Sequence, residues 1–142
     1  QRVWQITKLG ANEGVLHPHF SPDGTKLIWS QRVSNEGGIW RWVIKLATFR
    51  GAVSEISVSD ISTLTPGGFL FYETHGFSPD GKTLAYLAMS RAGYEADQYR
   101  IMLKPWPAGE AEVLTADWDR SPDDLVWSGD GTTIFATSGN VG

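Results

Sequence analysis

Three copies of one five-residue turn set the frame of this chain. They read Phe20-Ser21-Pro22-Asp23-Gly24, Phe77-Ser78-Pro79-Asp80-Gly81 and Trp127-Ser128-Gly129-Asp130-Gly131. In Ser-Pro-Asp-Gly the proline presets φ at the second turn position and aspartate suits the third. Glycine then supplies a left-handed residue that closes a tight hairpin with a bulge. Strands must therefore flank each copy. In the third copy Gly129 replaces proline, leaving the turn feasible but less preorganised. Ser21 to Ser78 spans 57 positions and Ser78 to Ser128 spans 50. Self-similarity at such a period decides architecture before any single residue does.

The turns predict strand pairs over 15–21 and 25–32, 74–78 and 82–90, and 124–128 and 132–138. Third strands follow in the first two units. Trp40, Trp42, Ile44 and Leu46 alternate with Arg41, Val43, Lys45 and Ala47, and Tyr99, Ile101 and Leu103 alternate with Arg100, Met102 and Lys104. Polar loops at 34–38 and 91–97 separate second from third strands. A fourth strand ends each unit in an apolar-Thr pair, over 59–65 (Leu64-Thr65) and 111–115 (Leu114-Thr115). The N-terminus repeats that signature as Val3-Trp4-Gln5-Ile6-Thr7, with Thr7 to Ser21 spanning 14 positions against 13 for Thr65 to Ser78. Residues 1–9 therefore read as the outer strand of a unit whose inner strands lie elsewhere.

Four antiparallel strands at this period form a propeller blade. The expected fold is an all-β, partial β-propeller of about three blades, two of them complete. The units are 15–65, 75–115, and 121–142 joined with 1–9 in one domain. Closed propellers have about four to eight blades. The joined blade would lack its third strand, and the open ends would expose sheet edges and apolar faces. Two such chains could complete a six-bladed ring with two-fold symmetry.

Composition narrows function by exclusion. Seven Trp among 142 residues suits short aromatic-rich strands. The net charge is -4 with no Lys/Arg run, which argues against a dedicated nucleic-acid binder. There is no cysteine, so disulfides, thiolate catalysis and Cys-based metal sites are excluded. No apolar run is long enough to span a bilayer as a helix. The first residues, Gln1-Arg2-Val3-Trp4-Gln5, do not read as a signal peptide.

The stretch from His17-Pro18-His19 through the first turn to Lys26-Leu27-Ile28-Trp29 resembles the repeat of TolB-like, WD-repeat-like propellers. Thr74-His75-Gly76 with its turn and Thr83-Leu84-Ala85-Tyr86 resembles it equally. A second resemblance is local. Tyr94-Glu95-Ala96-Asp97-Gln98-Tyr99-Arg100, and Leu114-Thr115 with Trp118-Asp119-Arg120-Ser121-Pro122, resemble propeller segments of prolyl-oligopeptidase-like serine peptidases. In that family the propeller precedes an α/β-hydrolase domain and filters access to it; none of the catalytic Ser, Asp and His maps onto this chain. The first resemblance implies a periplasmic or extracellular partner-binding protein, the second a cytoplasmic peptidase.

Candidate chemistry is sparse. No Gly-x-Ser-x-Gly elbow occurs, and Ser21, Ser78 and Ser128 read as turn residues whose hydroxyls bond local backbone. No Gly-rich loop opens a helix to cradle phosphate. His17, His19, Glu73 and His75 form the one metal-like constellation. Alternate strand residues share a face, so His17 and His19 could point the same way, and imidazole with carboxylate suits Zn, Mn or Ni. The repeat signature itself contains these histidines, which favours a structural role. Asp117, Asp119, Ser121 and Asp123 are spaced like a calcium loop, but Pro122 stands where glycine is needed and Ser128 where a closing Glu would be. A polar inter-blade loop over 117–124, with Asp119 pairing Arg120, is the expected structure. Trp40 and Trp42 read as inter-blade core. Trp106, between Pro105 and Pro107, is the candidate exposed aromatic; with Trp118 and Arg120 it is the candidate partner-binding set. The expected function is a non-catalytic binding or scaffolding module without cofactor, recognising a protein or peptide through its loops and channel. The alternatives are the substrate-gating segment of a serine peptidase and, more weakly, a metal-dependent propeller enzyme.

Overall fold

A computed structural model describes residues 3, 5–11, 13–36, 39–49, 60–65, 71–89 and 97–139. Among these residues ten strands form three antiparallel sheets. The first contains β1 (Gly14–Phe20), β2 (Lys26–Glu36), β3 (Ile39–Thr48) and β4 (Ile61–Thr63) in chain order. The second repeats it with β5 (Phe71–Phe77), β6 (Thr83–Met89), β7 (Tyr99–Pro105) and β8 (Glu112–Val113). The third holds only β9 (Pro122–Trp127) and β10 (Ile134–Ser138). This is the expected partial propeller: two four-stranded blades and the first two strands of another.

The turns explain the hairpins atom by atom. In each, the serine hydroxyl donates to the aspartate at 2.6 Å and accepts the N–H five residues on at 3.0 Å. The aspartate accepts the N–H two residues on at 3.0 Å. Gly24, Gly81 and Gly131 hold φ near +70°, at 70°, 71° and 71°, a conformation that favours glycine. The third turn keeps this geometry without proline, because the Ser128–Asp130 network defines the loop. Successive turns also touch, Pro22 against Gly81 and Pro79 against Gly131.

Period-two alternation divides each sheet between two neighbours. Ile28 and Ile44 leave the first blade on one face and meet Phe77, Leu84, Tyr86 and Met102 of the second. Ala85, Leu87 and Ile101 leave the second blade's other face and meet Leu125, with Trp127 and Ile134 alongside. Fully burying each such side chain contributes about 1.5–3 kcal/mol, so these two interfaces are the principal core.

The fourth strands are shorter than the sequence suggests. Pairing continues past them through a side chain. Leu64 N–H donates to the Ile44 carbonyl at 2.8 Å, and Ile44 N–H donates to Thr65 Oγ1 at 3.2 Å. The second blade repeats this with Leu114, Ile101 and Thr115 at 2.8 and 3.0 Å. The apolar-Thr pair is thus a strand end in which a hydroxyl stands in for a backbone carbonyl.

The N-terminus departs from expectation. Its described residues, Val3 and Gln5 to Gly10, form no strand. Among the described residues no third strand lies beside them to supply the ladder. Ile6 nevertheless packs against the first blade's outer face, with Leu27, Trp29, Phe49 and Ile61.

Candidate functional site

The first strands of the blades lie side by side, β5 against β1 and β9 against β5. Each carries an irregularity in its pairing. β1 slips register between Leu16 and His19, β5 between Thr74 and Gly76, and β9 across from Thr137 and Ser138. Bulges re-aim side chains. Here the β1 bulge sets His17 and Pro18 together opposite Trp29, with His17 at φ 52°. The alternation that would have put His17 and His19 on one face is therefore interrupted between them.

His19 projects toward the second blade. A Cβ on Gly76 would lie 3.7 Å from its ring, and Gly76 holds φ +108°. The absent side chain lets the imidazole lie over the β5 backbone, within electrostatic reach of Asp124 on β9. Burial lowers the His19 pKa, the charge of His17 lowers it further, and Asp124 opposes both. Asp124 Oδ1 accepts the Leu125 N–H at 2.8 Å. The cluster presents imidazole and carboxylate along the first strands. Glu73 and His75 also lie on β5, but their side chains fall outside the described residues. Among the described residues no three His, Asp or Glu side chains are grouped to hold a metal.

The second candidate region is the loop from Leu114 to Ser121. It is stitched to the start of β7. Gln98 Nε2 donates to the Asp119 carbonyl at 2.7 Å, Tyr99 N–H donates to Ser121 Oγ at 2.9 Å, and Arg100 donates to the Trp118 carbonyl. Ser121 is thereby committed to backbone, and Asp123 and Asp124 belong to strand β9 rather than to a loop over 117–124. Trp118 packs, part-buried, against the core between the second and third sheets. Asp119 and Arg120 project from the tip, 88% and 53% exposed, with 3.9 Å between Oδ1 and Nε. The loop thus offers one exposed charged pair on a fixed base.

Trp106 corrects a sequence expectation. It is part-buried against the core between the first and second blades, edge-on to Phe77 with centroids 5.1 Å apart and planes at 85°. Phe20 and Phe49 form the corresponding pair in the first blade, at 5.8 Å. The aromatic that follows each third strand packs on its own blade, and that role holds the Trp106 ring against the core. Trp42 is likewise part-buried, and the Trp40 side chain lies outside the described residues. Sequence reasoning missed that Asp124 comes within electrostatic reach of His19. The available signal was Gly76, the one small residue aligned with His19 and Val126 across the three repeats.

Comparison with known proteins gives a local match. The chain is 40% identical over 63 residues to dipeptidyl-peptidase 5 of Arthroderma otae. It is equally similar to the probable dipeptidyl-peptidase 5 of Arthroderma benhamiae and to dipeptidyl-peptidase 5 of Trichophyton equinum. The match covers 44% of this chain and spans 9% of the length of those relatives. No protein-family model matches. The similarity to peptidase propellers is therefore supported at sequence level over part of the chain.

Proposed function

We propose that this chain is a propeller segment of a prolyl-oligopeptidase-like serine peptidase. Its part is substrate selection, and its chemistry is supplied by a hydrolase domain elsewhere in the polypeptide. The 40% identity to dipeptidyl-peptidase 5 carries this reading. The local residues agree with it. Each turn serine is engaged with its own aspartate and strand N–H, whereas a nucleophile needs a positioned base. The segment offers recognition surfaces: the His17–His19–Asp124 line along the first strands and the Asp119–Arg120 tip. A peptide could be read by those charged and hydrogen-bonding groups, which fits the expectation of a peptide partner.

The gene around this segment provides the test. The expected result is a continuation into a Gly-x-Ser-x-Gly turn between strand and helix. The protein carrying that domain should release dipeptides from peptide substrates, and replacement of the elbow serine by alanine should abolish release. A gene with no hydrolase domain would overturn the proposal.

A further inference from the structure

All three Asp-Gly bonds of this chain lie in its repeated turns, at Asp23-Gly24, Asp80-Gly81 and Asp130-Gly131. Such a bond is reactive. The glycine nitrogen can attack the aspartate side-chain carbonyl carbon, and glycine carries no side chain to hinder the approach. A C–N bond closes a five-membered succinimide, while a hydroxyl from the acid and a hydrogen from the amide leave together as water. Water then re-enters at either ring carbonyl. One opening restores aspartate, and the other leaves isoaspartate, whose main chain runs through Cβ and Cγ. Solvent water is the sole co-reactant, and no electrons are exchanged.

In the folded turn one serine holds both reacting groups. Its hydroxyl donates to the aspartate carboxylate at 2.6 Å in every copy. Its carbonyl accepts the N–H of the glycine, Gly24 at 2.9 Å, Gly81 at 2.8 Å and Gly131 at 2.9 Å. The same carboxylate oxygen also accepts the N–H two residues on, at 3.0 Å. Nitrogen and carboxyl must both leave these partners before they can meet. The neutral acid is the form that expels water, and the serine hydroxyls are the chief reason Asp23 and Asp130 are held down to about 2 from 3.8.

We propose that the turn serine guards its Asp-Gly bond against rearrangement to isoaspartate, which makes each turn a modification site that opens only when the turn does. The guard protects the seams between blades. Isoaspartate adds one carbon to the main chain of the turn, which would unseat Gly81 from Pro22 and Gly131 from Pro79. The third copy leaves room for a stronger guard. Gly129 stands where the other turns have proline, its φ lies outside the left-handed region, and a Cβ there would meet nothing within 4 Å. The chemistry belongs to the turns alone and is independent of any hydrolase domain.

Incubating the intact protein in mildly acidic heavy-oxygen water tests this. Each passage through the succinimide takes up one labelled oxygen, so mass spectrometry of peptides counts events at Asp23, Asp80 and Asp130 separately. Rates at all three should rise at least about tenfold when urea unfolds the protein. Ser128→Ala should raise the Asp130 rate about two- to tenfold and leave Asp23 and Asp80 unchanged; a merely structural loss would move all three. Gly129→Pro should slow Asp130 about two- to fivefold, because proline disfavours the open turn. That variant carries the test if the alanine variant does not fold. Rates indifferent to urea, an unchanged Asp130 rate or a rise at all three positions in S128A, or no slowing in G129P would each overturn the proposal.

Discussion

Pro79 Cδ lies 3.3 Å from the point a Cβ on Gly131 would occupy. Pro22 stands in the same relation to Gly81, at 3.7 Å. The proline of each turn therefore rests on the glycine of the next, and the repeated motif links blades as well as bending the chain. At Gly24 a Cβ would meet nothing within 4 Å. Gly24→Ala should cost only the left-handed backbone strain, about 1–2 kcal/mol. Gly131→Ala should cost more, since it adds a clash with Pro79, and Pro79→Ala in that background should return the difference. Urea denaturation of the single and double variants measures it.

Thr65 is 7% exposed and accepts the Ile44 N–H. Thr65→Val keeps the shape and removes the acceptor. A buried N–H left without a partner costs about 1–3 kcal/mol. Chemical denaturation should show that loss, and amide exchange should quicken at Ile44.

The turn aspartates predict a particular acid response. Asp23 and Asp130 are held down to about 2 from 3.8, chiefly by the hydroxyls of Ser21 and Ser128, then by the N–H groups of Thr25 and Thr132. A carboxylate whose pKa is lower in the folded chain adds stability above its unfolded pKa. That stability is lost as pH falls through the folded value. Thermal melts should therefore fall between about pH 4 and pH 2. Asp23→Asn and Asp130→Asn should each lower stability at neutral pH and flatten that fall.

His19 predicts a second dependence at higher pH. Its pKa is lowered first by burial, then by His17. The unfolded chain therefore takes up the proton first, and stability falls as pH drops from about 6.5 through the lower folded value. His19→Gln should reduce that slope in melts run from pH 7 to pH 5. Gly76→Ala should destabilise at every pH, because φ +108° disfavours a side chain whatever the charge of His19.

The fold was legible in the sequence because its signals are local. Ser-Pro-Asp-Gly specifies a turn within five residues, and the strands beside it follow from alternation. Other readings failed where tertiary partners decided them. The N-terminal Ile6-Thr7 copies the signature of a fourth strand, yet a strand needs a neighbour and none stands beside it among the described residues. Trp106 between two prolines looks exposed, but Phe77 gives it a place in the core. The candidate site was only half legible. His17 and His19 were evident, whereas Asp124 lies more than a hundred residues away in the chain. Only stacked blades bring it within reach.

By itself the sequence determined the hairpins, the sheet order and the faces each strand offers, since these follow from turn chemistry and a side-chain period of two. The tertiary structure alone decided which faces are covered. Contacts such as His19 on Gly76 and Pro79 on Gly131 join separate repeats, and no local rule sets the distance between blades. It also decided that Leu125, inside the interface with the second blade, is buried while its neighbour Val126 on β9 is exposed, because a blade face is buried only where another element meets it.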